Sequence, residues 1–150
     1  MDTSSFIASL RERYLELSPH MSECGLEIAH LSTDSATLVL PSREDWLGDA
    51  ESGRFNPGVI TMLVDNTAGL AVIAHAGRRE PIATLDLRMD YLRPAFIGTP
   101  VSCRAQCIRM TRSIAFAHAV IWQDDEHAPI ATAQGVFMRS GARQQQAAGA

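Results

Sequence analysis

The run NPGVITMLVDNTAGLAVIAHAG, residues 56–77, decides the fold. Asn56 is a preferred N-cap residue. Pro57 suits the first helical position, where its missing N–H would be unpaired anyway. Val59, Ile60, Met62, Leu63, Val64, Leu70, Val72 and Ile73 then cover nearly every side. A helix that is apolar all round is a buried one. Gly77 supplies the stop. The spacing therefore predicts one long buried helix over 57–76.

Beyond Gly77 the hydrophobic period changes from helical to alternating. Leu85, Leu87, Met89 and Tyr91 alternate with Asp86, Arg88 and Asp90, which predicts a half-buried strand over 82–92, closed by Arg93-Pro94. Residues 101–110, 114–122 and 130–138 read as three long strands. Thr111-Arg112-Ser113 and Asp124-Asp125-Glu126-His127 are their hairpin connections. Upstream, residues 4–16 carry apolar residues at helical spacing, and Ser18-Pro19 is expected to stop that helix. Cys24, Leu26 and Ile28 alternate as a strand would, and 36–40 is its expected hairpin partner. The polar stretch 41–56 reads as an active-site-type loop with one helical turn, anchored by Trp46 and Phe55. One antiparallel sheet must then wrap one apolar helix, an α+β architecture with the helix on one face. Such a sheet keeps an edge in need of cover, and pairing with a second copy is a common remedy.

The chain has 150 residues, 46% hydrophobic and 20% charged, the size and composition of one globular domain. That domain is expected to span 1–150, with a core at about 22–139 and a frayed small-residue tail at 141–150. A net charge of −4 lacks the basic surplus of a nucleic-acid binder, so no nucleic-acid partner is expected. No run reaches the ~20 apolar residues of a membrane span. The richest, 59–76, is broken by Asp65, Asn66 and His75. The N-terminus lacks the pattern of a secretory signal. Three cysteines are poor arithmetic for a disulfide scaffold. Cys103 and Cys107 would stand ~13 Å apart along a strand, too far to bridge. Buried thiols in a reducing, cytoplasmic setting are expected. No Cys/His spacing resembles a zinc site, and no metal is expected.

Asp65 is the sharpest chemical signal. Asp is a poor interior helix former, and an ionised carboxylate inside an apolar helix costs several kcal/mol unless paired. Burial disfavours the charged form and moves such a group toward general-base duty. The other reading is a carboxylate bonded to backbone at an exposed patch. Asn66 and Thr67 beside it suggest that this helix face meets a cleft. The start of the same helix, Asn56-Pro57-Gly58, is either an oxyanion site or a plain cap. Gly58 and Asp65 are seven residues apart, ~10 Å of helix rise. Within one chain they cannot touch one reacting atom.

The run from Gly58 to Asp65-Asn66 resembles the core motif of hotdog-fold acyl-CoA thioesterases of the phenylacetate-pathway (PaaI-like) type. Thr84-Leu-Asp-Leu-Arg-Met-Asp-Tyr-Leu-Arg-Pro-Ala95 is similar to the strand that follows in that family. The resemblance covers about 22–139. It implies a hotdog fold, with the sheet wrapped around the helix, and a homodimer paired through the strand at 82–92, often as a dimer of dimers. It implies an acyl-CoA substrate, coenzyme A being part of that substrate and no cofactor being required. Asp65 would be the general base or nucleophile, helix-start groups at Asn56 and Gly58 would hold the oxyanion, and Thr84 would orient the attacking water. Asp49 stands where many members have Asn. Asn66, Arg88 and Arg93 are the further substrate-binding candidates, the arginines for the coenzyme A phosphates. One departure stands out. The family's His-Gly-Gly aligns with Asn56-Pro57-Gly58, and Pro57 lacks the N–H that usually meets the oxyanion. Either Gly58 or the Asn56 amide replaces it, or the hole is weakened. The alternatives are a non-hydrolytic acyl-CoA binder and a hotdog hydratase or dehydratase, whose sites usually pair the acid with a His.

Overall fold

Asn56 and Pro57 start the central helix as their chemistry requires. In the computed structural model, which describes residues 2–140, helix α3 spans Pro57–Ala76. The Gly58 N–H donates to Asn56 Oδ1 at 2.8 Å, and Gly77 ends the helix in the left-handed region at φ 66°. The tail at 141–150 lies outside the described residues.

Two helices precede the sheet, α1 (Thr3–Arg13) and α2 (Pro19–Glu23). Eight strands follow the alternations closely: β1 (Glu27–Leu31), β2 (Ala36–Leu40), β3 (Leu47–Asp49), β4 (Arg54–Phe55), β5 (Ile82–Tyr91), β6 (Val101–Met110), β7 (Ile114–Trp122) and β8 (Ala131–Arg139). Six of them form one antiparallel sheet in the order β1-β2-β6-β7-β8-β5, and β3-β4 make a separate ribbon. α3 lies across the sheet, chiefly on β6, β2 and β7. This is the hotdog fold, α+β in class.

Three local expectations are corrected. The first helix ends at Arg13, short of Ser18-Pro19, and that pair opens α2 instead: Ser18 Oγ accepts the Met21 N–H at 3.4 Å, and Pro19 sits in the first turn. Cys24 is therefore a helix C-cap, Gly25 turns at φ 67°, and the strand begins only at Glu27. The stretch 41–56 carries the expected helical turn, as a 3₁₀ turn at Glu44–Trp46, but it also forms the β3-β4 ribbon and is more ordered than a loop.

The C-terminal half of α3 is buried continuously from Thr67 to Val72. Its N-terminal half is not: Val59, Thr61, Met62, Asp65 and Asn66 are only half-buried. The helix is long and apolar enough to cross a membrane, yet it packs as the core helix of this sheet. Leu63, Val64, Leu70 and Val72 are fully buried there, each worth roughly 1.5–3 kcal/mol. Cys24 and Cys103 are buried and Cys107 is half-buried, all free thiols. Burial pushes the Cys103 thiol up to about 12.

β5 is an edge strand, and it carries a bulge between Thr84 and Asp86. Thr84 pairs with Phe137 and Leu87 pairs with Gly135. Phe137 is 1% exposed, so Thr84 shares its core-facing side. Strict alternation would have sent Thr84 outward with Asp86 and Arg88. The extra residue, Leu85, projects into solvent. Bulges re-aim side chains in this way. At the near end of β5, Glu80 is buried and accepts hydrogen bonds from Arg78 Nε (3.0 Å) and Arg139 Nε. Burial alone would raise the Glu80 carboxyl, but the bonds from Arg139 and Arg78 outweigh it and hold it below its usual value.

Candidate active site

The bulge brings together two residues that the sequence separates by nineteen positions. Thr84 Oγ1 donates to Asp65 Oδ1 at 2.7 Å. A hydrogen bond to a carboxylate is worth about 1.5–3 kcal/mol and fixes the carboxylate rotamer. Asp65 Oδ2 has no hydrogen-bond partner among the described residues and sits on the half-buried face of α3. Tyr14, just past α1, completes the surroundings. Its hydroxyl donates to the Asn66 carbonyl at 3.0 Å. Burial pushes the phenol far up, and the negative charge of Asp65 adds to that. Tyr14 therefore stays protonated, a neutral donor beside the carboxylate. Asn66 itself turns back on its helix, its amide donating to the Met62 carbonyl at 2.8 Å.

The helix start forms a second locus. Pro57 has no N–H. The Gly58 N–H is occupied by Asn56 Oδ1, and the Val59 N–H donates to the Asn56 carbonyl at 3.1 Å. Because Oδ1 caps the helix, Asn56 Nδ2 must point away from it, and it has no partner among the described residues. The amide borders a cavity of about 230 Å³ that His20, Cys24, Trp46, Gly58 and Met62 also line. His20 Nε2 lies 3.7 Å from Cys24 Sγ, and Arg43 stacks on the Trp46 ring at 4.7 Å. On the other side of the helix start, Tyr91 donates to the Pro57 carbonyl at 3.0 Å, beside a cavity of about 350 Å³ that includes Arg54, Phe55 and Arg93.

Thr84 and Asp65 are thus joined, Asn56 and Gly58 are joined, and the two pairs stand at different turns of one helix. Arg93 borders the helix-start cavity, held by a 3.2 Å bond to the Pro129 carbonyl. Asp49 lies in the β3-β4 ribbon leading into the helix, where the neighbouring Ser52 and the Glu51 N–H, which donates to its Oδ1 at 3.1 Å, hold its carboxyl below the usual range. Arg88 joins neither locus: it is exposed on the outer side of β5, paired with Asp90 at 3.1 Å. Among the described residues, no group of three or more His, Cys, Asp or Glu side chains converges as a metal site would. Tyr14 and His20 were not legible as site residues, because each reaches the central helix by packing across more than thirty residues of chain.

Comparison with known proteins bears on the fold and the family. The thioesterase superfamily profile matches residues 52–130, more than half of the chain. A solved structure from Pseudomonas aeruginosa is 35% identical, covers 90% of this chain and 99% of its own, and superposes with a TM-score of 0.79. A mutant of the phenylacetic acid degradation protein PaaI from Thermus thermophilus is 28% identical, with coverages of 82% and 100% and a TM-score of 0.72. PaaI of E. coli, 16% identical, shares the fold over 93% of this chain and 97% of its own, at a TM-score of 0.81. A search of curated proteins finds no match.

Proposed function

The chain belongs to the thioesterase superfamily, and from that premise we propose that it hydrolyses an acyl- or aryl-acyl-CoA thioester at a site shared between two copies of the chain. The observation that carries the reading is the Thr84–Asp65 hydrogen bond on the half-buried face of α3. Asp65 takes a proton from water that Thr84 helps to orient, and the hydroxide oxygen adds to the thioester carbonyl. Direct attack by the carboxylate is the variant of this step. The C–S bond then breaks, and the thiolate leaves with the proton as the free thiol.

The oxyanion needs donors that Asp65's own neighbourhood does not hold, and the helix start is ~10 Å away along the axis. A second copy resolves this. β5 offers ten edge residues with Leu85 and Tyr91 exposed, and a long unpaired edge is a template for pairing. Asp65 of one protomer then faces the helix start of its partner, within a dimer or a dimer of dimers. At that start, Asn56 Nδ2 is the free donor, which makes it the preferred oxyanion group. Gly58 can serve only if Asn56 lets go of its N–H. Arg93 lies where a coenzyme A phosphate could meet it. Neither a metal nor a separate cofactor enters this scheme.

A specific observation favours a second reading, a non-hydrolytic acyl-CoA binder: the first three residues of the helix, Pro57, Gly58 and Val59, offer no unoccupied backbone N–H. A panel of acyl-CoA substrates assayed for free thiol release, with Asp65→Asn as control, separates the two. Hydrolysis lost by ~10² or more in the variant, with binding retained, supports the enzyme. Micromolar binding without turnover in the wild type supports the binder.

A further inference from the structure

We propose that Tyr91 is a positioning residue for the oxyanion donor at the helix start, acting through the Pro57–Gly58 peptide unit. The proposal rests on the thioesterase reading and adds a residue to its machinery. Tyr91 ends β5, and its hydroxyl donates to the Pro57 carbonyl at 3.0 Å, across thirty-four positions of sequence. Thr61 Oγ1 donates to the same carbonyl at 3.0 Å and lies 3.4 Å from the Tyr91 oxygen. A threonine that bonds back to the carbonyl four residues earlier is ordinary in helices. The tyrosine is not, since it reaches in from another element. The Pro57 carbonyl and the Gly58 N–H belong to one planar peptide unit, so holding the oxygen orients the N–H on the opposite side. The proline ring locks φ at Pro57, which leaves the tilt of this one unit as the freedom that Tyr91 removes. The Gly58 N–H donates to Asn56 Oδ1 at 2.8 Å, and Nδ2 of the same amide is the free donor. Hydroxyl, carbonyl, N–H and side-chain amide thus form one hydrogen-bonded chain, and each bond in such a chain polarises the next.

One strand therefore touches both loci on α3. Thr84 holds Asp65 near the start of β5, and Tyr91 holds the helix start from its end. Pro57, Thr61 and Asp65 are spaced by four, along the same face of the helix. When β5 pairs antiparallel with a second copy, the Tyr91 end of one strand lies beside the Thr84 end of its partner. The donor that Tyr91 positions is then set toward the partner's carboxylate locus. Tyr91 is 46% exposed in the single chain, and the same pairing shields its bond from water.

Tyr91→Phe in the full-length protein removes the hydroxyl and keeps the ring. Amide exchange by NMR reads the relay without any substrate. Exchange at the Gly58 N–H should quicken by about threefold to tenfold, the worth of one hydrogen bond. The Gly77 N–H at the far end of α3, bonded to the Ala74 carbonyl, should keep its rate. Unchanged exchange at Gly58 overturns the proposal, and equal quickening at both ends, a general loosening, overturns it too. Turnover supplies the second arm. In the wild-type background kcat should fall by about threefold to tenfold with KM little changed. In the Asn56→Asp background the positioned donor is already gone, so Tyr91→Phe should cost nothing further. An equal proportional loss in both backgrounds places the action of Tyr91 elsewhere and overturns the relay. If the wild type cleaves no thioester, the hydrolase reading fails separately, and exchange at Gly58 alone decides the relay.

Discussion

Asn56 carries two functions on one side chain, and a pair of substitutions separates them. Its Oδ1 caps α3 through the Gly58 N–H at 2.8 Å, and its Nδ2 is the free donor at the helix start. Asn56→Asp keeps an acceptor for Gly58 and places negative charge at a helix N-terminus, so stability should stay within about 0.5 kcal/mol of wild type or rise. It removes the amide donor, and kcat should fall by about 10²–10³, the usual cost of one oxyanion donor. Asn56→Ala removes both functions. It should lose about 1 kcal/mol of stability and a similar factor in kcat. The alanine variant also uncaps the Gly58 N–H. If Gly58 were the working donor, Asn56→Ala would therefore match or exceed the wild type while Asn56→Asp stayed slow. Thiol-release kinetics on a cleaved acyl-CoA, with thermal unfolding of the same samples, reads both quantities. Wild-type kcat in Asn56→Ala would refute the side-chain oxyanion hole.

Thr84→Val removes the 2.7 Å bond to Asp65 and should lower kcat by about tenfold to a hundredfold with KM little changed, the worth of one hydrogen bond to a charged group; Thr84→Ser should recover most of it, and failure of that rescue would assign the effect to packing. Pro57→Gly restores a backbone N–H where the family has one, so turnover should persist or rise despite a loss of about 0.4–1 kcal/mol in stability; loss of turnover in a well-folded dimer would mean that the oxyanion is held elsewhere. Glu80→Gln should destabilise by about 3 kcal/mol at neutral pH, because it leaves the buried Arg139 without its charge partner. Glu80's folded value is lowered, so the wild type's advantage is full above the ordinary carboxylate range and is lost as pH falls through the lowered value. Urea unfolding should therefore show the two proteins converging on acidification; a constant gap would contradict the ion-pair account.

The helix that organises the fold was legible because its signals are local. An Asn-Pro start, an all-round apolar surface and a terminal Gly each act within a turn or two. Asp65 stood out for the same reason, as a carboxylate in an apolar run. What escaped depends on pairing and packing. The alternation of Leu85 to Tyr91 places Thr84 on the wrong face unless a bulge intervenes, and that bulge is set by the register against β8. Leu85 reads as core but lies on the solvent side of an edge strand. Ser18-Pro19 reads as a stop but acts as a start, with the first helix already ended at Arg13 and Met21 packed into the core. Tyr14 and His20 reach the central helix from α1's end and α2, across more than thirty residues of chain, beyond the reach of any spacing rule.

The central claim is that Asp65 of one protomer works with the helix start of the other, and subunit complementation tests it most directly. Asp65→Asn and Asn56→Asp proteins, each nearly inactive alone, are unfolded together and refolded as a mixture. In a mixed dimer with shared sites, one site carries both lesions and the other carries neither. Random pairing in a two-fold dimer should then restore about a quarter of wild-type thiol release. If both groups serve a site within one chain, every site in the mixture keeps a lesion. Activity that stays at the level of the separate variants, in dimers shown to have exchanged, would contradict the account.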